Sequence, residues 1–147
     1  MNDRYARGLA RQAELRDGAD ERRAAYDLLA DTAPDLPRPA VEFAYGDVHA
    51  RDGLDAARRE LVILGALVAL GDTRPQLRAH TSATLAAGLC PEEIVEAVMQ
   101  VVPYAGFPRV FTAMTAVREV FADRGLLPVG HDRPGREPPP KRTPATR

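Results

Sequence analysis

The chain of 147 residues carries 20 basic and 21 acidic side chains, for a formal net charge of −1, with one cysteine and no tryptophan. That is a one-domain length, and charge of both signs is spread along it, which gives no reason to invoke nucleic acid or an anionic membrane as a partner. A single cysteine excludes an internal disulfide framework, so a reducing cytoplasm is the expected compartment.

The opening MNDRYARGLARQ lacks the apolar core of a signal peptide. Residues 3 to 31 are polar and helix-favouring, with Leu9, Ala13, Tyr26 and Leu29 among the charges and a break expected at Gly18. The proline-rich 33-APDLPRP-39 is a connector. A short helical turn, 40-AVEFAYG-46, is expected to stop near Gly46, with 47-DVHARDG-53 as a loop. A helix should then run from about Asp55 to Leu70, closed by Gly71. It contains the longest apolar run, 61-LVILGALVAL-70, whose 10 residues are too few to cross a bilayer and read as a buried helix.

Pro75 opens the next pattern, which runs to Gly88. In LCPEE, Cys90 stands in the N-cap slot, Pro91 at the first helical position and Glu93 at the far corner of a capping box. Residues 91–102 form an amphipathic helix on Ile94, Val98 and Val101, kinked or restarted by Pro103. A last helix spans about Tyr104 to Arg124, with Phe107, Val110, Phe111, Met114, Val117 and Phe121 turned to the core. Tyr104 is expected to pack around the tight helix junction in PYAGFP. From Pro128 onward, six of twenty residues are proline, a composition that cannot offset its ordering entropy, and His131 carries no chemistry in this reading. With alternating β-branched segments almost absent, the expectation is an all-α, single-domain helical bundle. Its parts are an N-terminal helical segment and linker (1–39), a core (40–125) and a disordered tail (126–147).

The candidate chemistry centres on His80 and Glu60. His80 shares a helix face with Leu77, Ala83 and Ala87, where a bonded core histidine and a catalytic one are both possible. Glu60 lies near the start of the apolar helix, with Leu64 and Leu67 on its face, and a carboxylate there is expensive to bury without a partner. The helices are joined by a short connection and should pack antiparallel. Simple hairpin counting does not bring the two residues level, and an ion pair with Arg59 or Arg78 is the alternative for Glu60. Cys90, ten residues beyond His80 and past the end of its helix, is read as a cap; a helix N-terminus can lower a thiol pKa, which leaves reactivity towards alkylating agents open.

The succession 45-YGDVHARDGLDAARRELVILGALVALG-71, 77-LRAHTSATLAAGLCPEEIVEAVMQVVPYAGFPRVFTAM-114 and 118-REVF-121 resembles the carboxymuconolactone decarboxylase family over roughly residues 43–124. Its pattern joins a YG.VW.R.GL loop, an RELV helix start, an LR.H helix and a final YaG.P. The resemblance implies the all-α fold shared with alkyl hydroperoxidase D, assembled as a homo-trimer or homo-hexamer. A preference for self-association also follows from the apolar, charge-poor 61–70 segment. In the peroxidase branch a Cys-x-x-Cys pair precedes the matching histidine. Those positions hold Thr73 and Gln76 here, so a thiol peroxidase is disfavoured.

By the same resemblance, the activity is decarboxylation of a carboxylated γ-lactone without any cofactor or metal. His80 would be proton donor or oxyanion partner, and Glu60 the group that orients it or shuttles the proton. A dicarboxylate substrate implies an arginine clamp, for which Arg58, Arg74, Arg78 and Arg109 are the candidates. His49 stands where the family has tryptophan. It either lines the pocket mouth as a substrate contact or is simply exposed, with exposure the simpler reading. The alternative to a decarboxylase is a repurposed family member that binds or tailors another lactone or enol.

Overall fold

A computed structural model describes residues 3–16 and 26–130. The expected break at Gly18, His131 and most of the proline-rich tail lie outside these residues. Every regular element among them is a helix. In chain order these are α1 (Asp3–Glu14), a helical turn at Pro37–Pro39 leading directly into α2 (Ala40–His49), α3 (Ala56–Leu70), α4 (Arg74–Ala86), α5 (Pro91–Met99), α6 (Val102–Ala105) and α7 (Phe107–Asp123). The main core lies between α3, α4, α5 and α7, built on Leu64, Val68, Leu77, Ile94, Val98, Val117 and Phe121.

Local signals set most boundaries. Asp55 caps α3 by accepting the Arg58 amide at 2.8 Å, and Gly71 ends it at φ +73°, where a side chain would be strained. Cys90 caps α5 as expected, with Glu93 accepting the Cys90 amide at 2.9 Å. Gly106, not Pro103 alone, separates the short α6 from α7.

Four expectations need correction. The helix over 40–46 does not stop at Gly46. It continues to His49 with wide, π-type spacing, and the Ala50 amide donates to the Tyr45 carbonyl at 3.0 Å. Gly46 is there for closeness: a Cβ would lie 2.2 Å from the Arg4 carbonyl oxygen of α1, and one on Gly8 would lie 2.3 Å from that of Val41. The α3 helix is buried on one face only, through Ala57, Glu60, Leu64 and Val68, while Val62 and Leu70 are exposed. On α7 the small Ala113 and Ala116 turn inward beside Val110 and Val117, which leaves Phe107 and Phe111 outside in contact with each other. Tyr104 does not pack at the junction either, being 86% exposed.

A second, smaller cluster seats the N-terminal helix. Leu15 just beyond α1 packs with Tyr45 of α2 and Ala83 of α4. Arg4 donates to Asp47 at 2.9 Å, and Arg7 to the Gly46 carbonyl at 3.2 Å. The α1 helix is thereby held along α2, which brings Arg11 to His49 at the end of α2.

Candidate active site

Glu60 is fully buried on the inward face of α3. Each of its carboxylate oxygens has a histidine: His80 Nδ1 on α4 lies 2.8 Å from Oε2, and His49 Nε2 at the end of α2 lies 3.1 Å from Oε1. Burial pushes the Glu60 carboxyl upward. The hydrogen bonds from His49 and His80, with the charge those rings can carry, outweigh it and hold the group below its ordinary value. Glu60 is therefore a carboxylate, and each of its oxygens meets an imidazole nitrogen. The alternative partners are elsewhere. Arg59 donates to the Leu54, Val48 and Arg51 carbonyls and so pins the 48–54 segment to the start of α3, while Arg78 of α4 donates to Glu119 of α7 at 2.8 Å.

His80 is partly exposed, with 16% of its side chain open to solvent. With Nδ1 engaged by Glu60, its Nε2 is the nitrogen left for chemistry. His49 is 4% exposed, which corrects the expectation of a solvent-facing residue. Its physical cause is the continued helix, which carries residue 49 inward under Tyr45, whose ring stacks on the imidazole at 5.8 Å. His49 borders a mostly apolar groove of about 310 Å³ formed with Phe43, Val48, Leu54 and Val62.

An arginine absent from the sequence-based candidates reaches this cluster. Arg11 Nε lies 3.0 Å from His49 Nδ1, and its NH2 lies 3.3 Å from the His49 carbonyl oxygen. The available signal was Gly8 inside α1 on the same face as Arg4 and Arg11, since a glycine within a helical pattern marks a packing reason.

The arginines singled out as a clamp do not converge on His80 within this chain. Arg58 is exposed and pairs with Asp55. Arg74 and Arg78 pair with Glu119, and Arg78 also reaches Asp123 at 2.9 Å. Arg109 donates to the Leu70 carbonyl at the far end of α3, about 15 Å of helical rise from Glu60. Cys90 keeps its place as a cap. Burial pushes its thiol up, and Glu92 adds to this against the opposing Glu93 amide, a direction away from helix-end activation. Thr73 donates its hydroxyl to the Leu67 carbonyl at 2.7 Å, and Gln76 is exposed. No described helix is long and apolar enough to cross a membrane.

Residues 34–119 match the family model described as the carboxymuconolactone decarboxylase family. The chain belongs to that family. A carboxymuconolactone decarboxylase family match thus begins before Phe43, nine residues upstream of where the motifs alone placed it. The chain is 35% identical over 130 residues, 87% of its length and 96% of the relative's, to a 4-carboxymuconolactone decarboxylase of Acinetobacter baylyi. It is 34% identical over 91 residues, 61% of its length and 68% of the relative's, to an uncharacterised 15.0 kDa protein of Paracoccus denitrificans. It is also 33% identical over 83 residues, 56% of its length and 57% of the relative's, to a nitrosuccinic acid decarboxylase of Metarhizium robertsii.

Proposed function

We propose that this family member is a cofactor-independent decarboxylase that converts 4-carboxymuconolactone, or a close relative, to 3-oxoadipate enol-lactone. The observation that supports this reading is the buried Glu60 carboxylate bonded at 2.8 Å to Nδ1 of the partly exposed His80. It occurs in a chain similar over nearly its whole length to a protein named for that reaction. When the carboxylate carbon leaves as carbon dioxide, the electron pair of the broken bond passes into the unsaturated lactone as a dienolate. The substrate is its own electron sink, so the step calls for no metal or organic cofactor. His80 Nε2 then gives a proton to the ring carbon, forming the new C–H bond, and is reprotonated from solvent. Glu60 keeps the imidazole oriented and offsets its positive charge before transfer. The reaction belongs to aromatic catabolism, and the reading keeps the protein in the cytoplasm.

A second reading, decarboxylation of a different small acid by the same residues, is favoured by His49 standing where the family has tryptophan. The relative named for nitrosuccinic acid points the same way. An ultraviolet assay with purified wild type and His80→Ala tests both readings. Turnover of the lactone acid that falls at least about 100-fold in the variant supports the first. No turnover of the lactone, with His80-dependent carbon dioxide release from another acid, supports the second.

Self-association as a trimer or hexamer belongs to the same proposal. Val62 (65% exposed), Leu70 (69%), Phe107 (61%) and Phe111 (67%) are large apolar side chains for a single chain to leave open. Neighbouring copies would cover them, and would supply further cations for a dicarboxylate. Sedimentation at micromolar concentration checks this, and a monomeric mass contradicts it.

A further inference from the structure

We propose that His49 is a positioning residue that acts through Glu60 on His80, and that Arg11 fixes which of its ring nitrogens carries the proton. The kinetic part of this inference rests on the decarboxylase reading above, whereas the tautomer and the bond network do not.

The argument begins with the donor inventory. A guanidinium has only N–H donors and no acceptor. Arg11 Nε lies 3.0 Å from His49 Nδ1, so that nitrogen must present its lone pair. The ring proton is then on Nε2, which faces Glu60 Oε1 at 3.1 Å and donates to it. Arg11 is itself tied down by the His49 carbonyl at 3.3 Å and by Glu14 at 2.6 Å. The stacked Tyr45 ring and an exposure of only 4% shield the imidazole from solvent and favour these two bonds.

Two consequences follow. First, both ring nitrogens of His49 are occupied, so the residue offers only carbon to the neighbouring groove. This replaces the expectation that His49 contacts a polar group of the substrate. Second, Glu60 is fully buried, so His49 is the donor that keeps Oε1 satisfied and leaves Oε2 to His80. Without His49 the carboxylate is free to swing and share both oxygens with His80. The Nε2 atom that meets the substrate then loses its fixed direction. Because the network runs from α1 through α2 to α3 and α4, the N-terminal helix is part of the site's support.

The test compares His49→Phe, which keeps ring volume and stacking, with His49→Gln, whose side-chain amide restores one N–H donor. In the purified full chain, His49→Phe should lower kcat about 10- to 100-fold, the scale of one lost hydrogen bond to a buried charge, while KM moves little. His49→Gln should recover most of that loss. A rise in KM with kcat unchanged would make His49 a substrate contact and overturn the proposal. So would wild-type kcat in His49→Phe.

The second arm needs no turnover. Imidazole nitrogen-15 spectra should show His49 Nδ1 as the unprotonated, pyridine-type nitrogen in the wild type, and a mixture of tautomers in Arg11→Met. The same spectra should show the His80 Nδ1 proton bonded to carboxylate in the wild type and altered in His49→Phe. If no lactone acid turns over but these signals behave as described, the decarboxylase reading fails and the positioning network stands. A protonated His49 Nδ1, or a His80 signal indifferent to His49, overturns the network itself.

Discussion

Two glutamates in this fold each accept from a pair of side chains, and the contrast between them explains where the chemistry lies. Glu119 on α7 takes Arg78 at 2.8 Å and also Arg74, at a partly open surface. Its carboxyl is held below the ordinary value chiefly by the hydrogen bonds from those arginines. Glu60 takes two histidines and is fully closed off from solvent, so burial opposes its charge and the imidazoles must overcome it. The surface pair binds permanent cations and can only clamp. The buried set includes one imidazole, His80, with a nitrogen left for proton exchange, in a place where losing one partner leaves a charge without compensation. Two donors on a carboxylate are therefore not a functional signature by themselves; their protonation chemistry and their depth decide.

The largest effect should come from breaking the buried set. Glu60→Ala leaves two imidazoles without their shared acceptor and should destabilise the fold by roughly 3–5 kcal/mol in urea unfolding, the range seen when a buried pair loses one member. Glu60→Gln keeps the shape but not the charge, and should retain more stability while losing activity.

Next is the seat of α1. Gly46→Ala forces a Cβ to within 2.2 Å of the Arg4 carbonyl oxygen and should cost about 1–3 kcal/mol, because the contact is backbone and cannot move aside. If the Arg11 network depends on that seat, activity falls with it even in protein that remains folded.

The pH dependence sharpens the same contrast. The folded-state pKa of Glu60 lies below its ordinary 4.5, so its share of stability is present above that pH. That share is lost as pH falls from about 4.5 through the folded value. Urea midpoints of wild type and Glu60→Gln should therefore converge on acidification below pH 4.5, and parallel curves would contradict a charged Glu60.

The smallest effects are expected at the surface. Arg78→Ala removes contacts to Glu119 and Asp123 without touching the buried set, and should leave kcat unchanged and the melting temperature nearly so. Cys90→Ser should likewise keep full activity, and the wild-type thiol should alkylate more slowly than an ordinary exposed one.

What could be read from the sequence follows the reach of its signals. Asp55, Gly71 and Cys90 mark helix ends through chemistry local to a few residues, and each of those ends lies where it was expected. Glu60 and His80 stood out because a polar group on an apolar face needs a partner, although counting along the hairpin could not bring them level. His49 was misplaced because 47-DVHARDG-53 has the composition of a loop, and nothing within it shows that the preceding helix widens and continues. Arg11 lies 38 residues away from His49 and joins it only through the close approach of Gly8 and Gly46. Periodicity likewise could not choose between the two faces of α7, both apolar, and the closer packing available to alanine decided against Phe107 and Phe111.

The most direct test of the central claim, that Glu60 acts on the reaction through His80, is a double-mutant cycle in kcat/KM with Glu60→Gln and His80→Ala on the acid the enzyme turns over. Residues that act as one unit are strongly non-additive. The double variant should be no slower than His80→Ala alone. Losses that multiply would show two independent contributions, and would contradict the account of a single Glu60–His80 unit.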